Sequence, residues 1–234
     1  MIELLQIPSP GVSTPSTQGF RIRTKEMTGK KINKHELRTR ETRELLLQAA
    51  EKIFVRDGYE GAELGEIAAL AGRTKGAIYA QFKSKEDIFL ALIEDHTARY
   101  KAQMAERLAR STSVEENLAA LRQLYFMLME DQSWALLFLE FKLYAIRHPE
   151  SKERLLKHFG EAMPEGQEKR LNKLLGPPGK GNTVSRSEGV WMLQPLVSAL
   201  VVETKLLPNL LDDRTLKKLW NKMFDTLLQP SATE

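Results

Sequence analysis

The chain has 234 residues, of which 42% are apolar and 28% charged, a composition typical of a soluble globular protein with a sizeable core. It contains no cysteine, which excludes disulfides, thiolate metal sites and cysteine nucleophiles and fits a reducing cytoplasm. The net charge is +4, but the excess is local: residues 21–85 hold 15 Lys and Arg against 9 Asp and Glu. A basic excess at one end suits a polyanionic partner.

Residues 1–37 are rich in Ser, Thr, Pro and Gly, and then in Lys and Arg, which predicts a disordered basic extension. Three interpretations stay open: an arm that follows a DNA backbone or enters a minor groove, a tail of no specific role, or residues upstream of a true start at Met27. The first residues lack the basic and apolar regions of a secretory signal. The longest apolar stretch, 190–202, is too short to span a membrane, so no membrane partner is predicted.

Residues 38–85 predict one helix followed by a helix-turn-helix. Gly72 stands where a helix must end, because glycine enters the left-handed conformation without steric penalty. Thr74 then offers a side-chain oxygen that caps the next helix. The first helix carries an apolar stripe at helical spacing, formed by Leu45, Leu46, Ala49, Ala50, Ile53 and Phe54. The last helix of the motif would present a set suited to phosphates and base edges: Thr74, Lys75, Gly76, Tyr79 and Gln81.

Helical periodicity continues through residues 86–234 and predicts no strand. Ser84 and Asp87 predict a capping box that starts a helix ending near Ala109. Further helices are expected over 114–128, 134–148, 151–175 (with an interruption at 164–166) and 186–207, and from Asp212 and Asp213 onward. The sequence GPPGKGN at 176–182 predicts a loop.

The last two helices are apolar on more faces than one neighbour could cover, which predicts self-association. The expected dimer interface consists of Trp191, Leu200, Trp220 and Phe224. Pro195 should kink its helix, because proline removes a backbone donor and clashes one turn back. We have no functional interpretation of that kink.

From about Arg40 to Ile93 the chain resembles the DNA-binding domain of the TetR (tetracycline-repressor) family. The matching segments are Ala49-Ala50, Ile53-Phe54, Gly58-Tyr59, Glu66-Ile67-Ala68, Ala71-Gly72, Lys75-Gly76, Ile78-Tyr79, Phe82 and Ser84-Lys85-Glu86. The resemblance implies an all-α regulator: a three-helix DNA-binding domain at 38–85, then a helical ligand-binding and dimerisation domain at 86–234. Such a homodimer reads a palindromic operator in double-stranded DNA.

The resemblance also implies residue roles. Tyr79 and Lys85 would contact phosphates, Thr74 and Lys75 would reach bases or nearby phosphates, and Gly76 would allow close approach of the backbone to DNA. Arg43, on the first helix, would be a further phosphate clamp. Four residues depart from the family pattern: Ala62 in place of a capping Thr, Gly65 inside a helix, Arg73 at an apolar turn position and Gln81 in place of a frequent His. Ala62 and Gly65 should each cost about 1 kcal/mol of helix stability.

The middle helices would hold an effector, with aromatic surface from Tyr125, Trp134, Phe138 and Phe141. Aromatic residues at helical spacing also form plain cores, so these four residues could belong to the core instead. If an effector binds, the sequence favours an apolar or aromatic small molecule. No cofactor, metal site or catalytic residue is predicted, because the four histidines show no ligand spacing and GPPGKGN lacks the spacing of a phosphate loop. The alternatives are an effector-independent DNA-binding regulator and a helical enzyme. We expect a repressor that a small molecule releases from its operator, with activation as a further possibility.

Overall fold

The computed structural model describes residues 33–160, 166–179, 181–209 and 211–229. This part of the chain folds into ten α-helices without a β-strand, which confirms the predicted all-α fold. The helices are α1 Lys34–Gly61, α2 Leu64–Leu70, α3 Lys75–Tyr79, α4 Lys85–Arg110, α5 Val114–Glu130, α6 Gln132–Arg147, α7 Pro149–Gly160, α8 Gln167–Leu175, α9 Arg186–Leu206 and α10 Asp213–Leu228. The predictions for residues 1–32, including the arm and the start at Met27, lie outside the described residues.

Helix α1 begins four residues before the expected domain boundary at residue 38. Asn33 accepts a hydrogen bond from the backbone N–H of His35 at 3.2 Å, and Glu36 accepts one from the N–H of Asn33 at 3.2 Å. This reciprocal capping box satisfies two backbone donors that a helix start leaves open. Residues 34–37 are therefore helical rather than part of a disordered extension.

The helix-turn-helix is formed as predicted. Gly72 has φ +64°, and the backbone N–H of Arg73 donates to the carbonyl of Ala68 at 2.8 Å, the bond that closes a helix ending in a left-handed residue. Thr74 Oγ1 accepts from the N–H of Ala77 at 3.3 Å and caps α3. The interior between α2 and α3 is filled by Ile67, Ala68, Ile78 and Phe82.

The described helices enclose two hydrophobic cores, and the expected boundary at residue 85 does not separate them. The first core joins α1–α3 and the first half of α4 to α6 and α7. The second core joins the other half of α4 to α5, α8, α9 and α10. Helix α4 belongs to both cores, and α6 packs its aromatic face against the DNA-binding helices. The two predicted domains therefore share one of their cores.

Three of the four residues expected at a dimer interface lie inside the second core, so that expectation was wrong for them. Trp220 is 0% exposed, Phe224 1% and Leu200 9%, and Trp220 Nε1 donates to the carbonyl of Arg122 at 3.3 Å. The wide apolar stripe of α10 is covered by α5 and α9 of the same protomer. Trp191 is 56% exposed. Helix α9 continues through Pro195, which lies on its exposed side.

Candidate nucleic-acid interface and effector pocket

The short helix α3 presents an exposed, hydrogen-bonding face. Thr74, Lys75 and Gly76 are exposed at its start, and Tyr79 is 60% exposed although its neighbour Ile78 is fully buried. Gln81 is half-buried just beyond the helix. A buried Ile next to an exposed Tyr fixes which side of α3 faces outward. The predicted contact residues therefore lie on one accessible surface, with Gln81 at its edge.

Gly65 makes room for Lys75 at this surface. A Cβ atom at Gly65 would lie 2.6 Å from Lys75 Cε, so any larger residue would push the lysine stem away from α2. From the sequence, we predicted that Gly65 departs from the family pattern and costs about 1 kcal/mol of helix stability. The structure shows what this glycine allows, because without a side chain at position 65 the Lys75 side chain can lie across α2.

Two arginines connect the motif to α1. The guanidinium of Arg43 stands 4.5 Å from the centre of the Phe82 ring, a cation–π contact that orients this side chain beside α3. Arg73 Nε donates to Thr42 Oγ1 at 3.4 Å, and its Nη1 donates to the carbonyl of Gly72 at 3.1 Å. Arg73 therefore ties the turn to α1.

Lys85 contacts the end of α1 in this structure, and its predicted phosphate contact stays a prediction. Its Nζ donates to the carbonyls of Glu60 at 2.8 Å and Ala62 at 3.2 Å, and it lies 5.1 Å from the centre of the Tyr59 ring. Burial lowers the pKa of Lys85. The ammonium group satisfies backbone acceptors at the end of α1, so the structure assigns Lys85 to joining α4 to α1.

A cavity of about 40 Å³ lies where the two cores meet. Ile93, Trp134 and Phe138 of its wall belong to the first core. Its full lining is Ile93, His96, Thr97, Tyr100, Leu128, Trp134, Ala135, Phe138, Gln194 and Val197. We call it the seam pocket. Two of the four predicted effector residues line it, Trp134 and Phe138. Tyr125 and Phe141 do not, because each is fully buried inside a core.

His96 is one of the residues of this pocket that the sequence interpretation missed. Its ring stacks on Trp134 with centroids 3.6 Å apart and an interplanar angle of 1°. Its Nε2 lies 2.8 Å from Glu51 Oε1, and this hydrogen bond from His96 lowers the pKa of Glu51. Helix α1 is thereby linked to the pocket wall. The available signal was a histidine placed on the apolar stripe of α4.

A polar group closes the pocket at α9. Lys142 Nζ donates to Gln194 Oε1 and lies 4.5 Å from the centre of the Phe138 ring. Gln194 Nε2 donates to Ser198 Oγ at 3.1 Å, and Ser198 is buried. Burial lowers the pKa of Lys142 to about 8. The sequence signalled Gln194 only as an interruption of an apolar run.

Further contacts join the DNA-binding helices and the start of α4 to α6 and α7. The backbone N–H of Tyr59 donates to Glu140 Oε1 at 2.8 Å, next to a kink at Gly58, whose φ is +74°. At the start of α4, Arg154 Nη1 pairs with Glu86 Oε1 at 3.1 Å, and Arg154 also pairs with Asp87. These contacts, with the His96 bond, join α6 and α7 to α1 and to the start of α4.

The fold and the exposed face of α3 define a helix-turn-helix protein of the bacterial regulator type with a helical second part. Residues 46–92 match the family model described as "Bacterial regulatory proteins, tetR family". Residues 46–92 of the chain thus form a DNA-binding domain of the TetR type.

Curated relatives match over part of the chain. The transcriptional repressor BepR of Brucella suis is 51% identical over 53 residues, which cover 23% of this chain and 25% of that protein. The transcriptional activator FasR of Mycolicibacterium smegmatis is 33% identical over 93 residues, covering 40% of this chain and 42% of that protein. The matched stretches therefore cover less than half the length of each of these relatives.

Solved structures extend the likeness of fold to most of the chain. The transcriptional regulator FadR from Bacillus subtilis, in complex with stearoyl-CoA, superposes with a TM-score of 0.60 and 20% identity. The match covers 80% of this chain and 97% of that one. None of the described helices combines the length and apolar character needed to cross a membrane.

Proposed function

We propose that this chain is a ligand-responsive transcriptional regulator, a repressor that binds a palindromic operator as a homodimer and is released by a small molecule. The exposed face of α3 on a TetR-family DNA-binding domain carries this proposal. Repression is preferred over activation, although the matched relatives include a protein named for each. The position of the operator relative to a promoter decides between them.

An exposed apolar strip on α9 and α6 supports the homodimer. Trp191, Met192 and Leu206 are exposed on α9, and Leu143 and Ile146 are exposed on α6, which packs against α9. A strip of large apolar side chains on one side of a protein marks an interaction surface. We therefore move the proposed interface from the buried residues of α9 and α10 to this strip, of which only Trp191 was predicted from the sequence.

The seam pocket supports regulation by a ligand. Its walls come from both cores, so an occupant larger than the cavity must separate α4 from α6 or α9. His96 and Trp134 would move with those helices, and the His96–Glu51 bond would transmit the movement to α1. Release of DNA follows only if the ligand binds the widened state more tightly than the DNA-bound state.

Selective DNA binding tests the proposal. Purified protein is incubated with fragmented genomic DNA at physiological salt, and the bound fragments are sequenced. The affinity of the protein for each recovered site is then measured by fluorescence anisotropy. Tyr79→Ala and Lys75→Ala should each weaken binding to the recovered site, whereas the exposed Lys152→Ala on α7 should not. Recovery of no preferred sequence, or equal affinity of all three variants and the wild type, would contradict the proposal.

A second candidate, an effector-independent regulator, is favoured by the burial of aromatic residues. Tyr125 and Phe141, two of the four residues expected to hold an effector, are fully buried inside the cores and do not line the seam pocket. Thermal-shift screening separates the two candidates, because a compound that binds the folded state raises its melting temperature. If no compound in a diverse screen stabilises the protein while operator binding is intact, the effector-independent regulator is the better description.

A further inference from the structure

We propose that the effector of the seam pocket is a small carboxylic acid with an aromatic or aliphatic body, whose carboxylate pairs with Lys142 at the Gln194 end. This inference rests on the proposed ligand-responsive function and names the chemical class of the ligand. It comes from Lys142, a cationic side chain whose ammonium contacts two residues of the pocket lining, Gln194 and Phe138.

The walls of the seam pocket suit an apolar body. Trp134, Phe138 and Tyr100 offer ring surfaces, and Ile93, Leu128 and Val197 offer aliphatic ones. The flat faces of the stacked His96 and Trp134 rings favour a planar group in contact with them. These walls alone would accept a neutral molecule as readily as an acid. The class of ligand is therefore decided at the polar end.

Lys142 is the unusual residue of that end. In the described part of the structure its ammonium has neutral partners only, the amide oxygen of Gln194 and the ring face of Phe138. Burying a charge without an opposite charge costs stability. The lowered pKa of about 8 reflects that burial, yet leaves Lys142 mostly protonated at pH 7. An anion placed beside it would supply the missing partner.

The geometry shows where that anion would bind. Gln194 lines the pocket and holds Lys142 with its Oε1, while its Nε2 donates to the buried Ser198 Oγ. A ligand carboxylate can take the position of the amide oxygen as acceptor for Lys142. Gln194 can then turn its Nε2 toward the same carboxylate. Lys142 and Gln194 would then both donate hydrogen bonds to one anionic group. This would explain why the two polar side chains lie together at this end of the pocket.

The test compares acids with their neutral amides on the full chain. Benzoate, 2-naphthoate and decanoate, and the corresponding primary amides, are titrated by calorimetry and by release of operator DNA. At least one acid should bind about tenfold or more tightly than its amide, the size expected for one charge-assisted hydrogen bond. Lys142→Met should reduce this preference to about twofold or less without weakening the amide, whereas Lys142→Arg and the exposed Lys152→Met should keep it.

Melting curves of each variant establish that it is folded, and Gln194→Leu gives a second route if Lys142→Met does not fold. Equal binding of acids and amides, or an acid preference that survives Lys142→Met, would overturn the carboxylate proposal and leave the regulator standing. Binding of no acid would overturn it too, provided that operator binding is intact. Loss of selective DNA binding by the wild type is a different outcome, because it removes the proposed function itself.

Discussion

The DNA-binding end and the helical remainder differ in what other sequences share with them. A family model of bacterial regulators matches residues 46–92, whereas a structure that matches 80% of the chain is only 20% identical. The first region must present particular side chains to a DNA backbone whose geometry does not change. The second region needs only to fill volume between helices, which many apolar sequences achieve.

The seam pocket lies where these two regions meet. One of its walls is built from the core that supports α3, and the other is built from the core of α5, α9 and α10. Four changes can break or sharpen the comparison between the two regions. They are ordered here from the largest expected effect to the smallest.

Trp220→Ala should lower the free energy of unfolding by about 3–5 kcal/mol, because it empties a fully buried site in the second core. The matched variant Trp191→Ala removes an exposed indole and should leave protomer stability nearly unchanged while weakening the dimer. Chemical denaturation and sedimentation at several protein concentrations measure the two effects. If Trp191→Ala destabilised the protomer and Trp220→Ala only dissociated the dimer, the reassigned interface would be wrong.

Gly58→Ala should destabilise the protein by about 1–3 kcal/mol, because φ is +74° and a Cβ there would lie 2.6 Å from Glu140 Oε1. Its control is Gly61→Ala, whose Cβ would meet nothing closer than 3.6 Å. Denaturation curves of both variants give the comparison. Equal stability of the two would mean that the contact of Glu140 with the end of α1 does not constrain this kink.

Lys142→Met should stabilise the free protein by about 1–3 kcal/mol at pH 7, because the folded-state pKa of about 8 lies below the ordinary value of 10.5. The penalty for the buried charge is complete below pH 8 and decreases as pH rises, vanishing near pH 10.5. The gain from Lys142→Met should shrink over the same interval. Denaturation of both proteins between pH 7 and pH 10.5 measures it, and a gain independent of pH would point to packing instead.

Lys75→Ala should reduce DNA affinity modestly on every sequence and lower the slope of log affinity against log salt by about one, as expected for one lost phosphate contact. Stability should change little, because Lys75 is exposed. Anisotropy titrations at four salt concentrations measure the slope. A change in sequence preference with an unchanged slope would assign Lys75 to a base instead.

Local signals predicted most of the fold. Gly72, Thr74 and the Asp212–Asp213 helix start are set by neighbours within a few residues, and the structure places them as expected. The burial of Trp220 was also visible in its apolar stripe. Whether its cover comes from the same chain or a second one is a tertiary question that periodicity cannot answer.

The missed residues share one physical cause. His96 meets Glu51 across 45 residues of chain, Lys142 meets Gln194 across 52, and Glu140 meets Tyr59 across 81. Each pair depends on how three or more helices pack, and no local rule relates its two members. Isolated polar residues on apolar faces were the only trace of these contacts in the sequence.

A hydroxyl-radical footprint on a recovered genomic fragment tests the central claim most directly. We expect two protected segments related by two-fold symmetry on one face of the duplex, with centres about one helical turn or a multiple of it apart. Tyr79→Ala should weaken both segments equally. Uniform protection along the fragment, or a single unpaired segment, would contradict a dimer that reads DNA with two copies of α3.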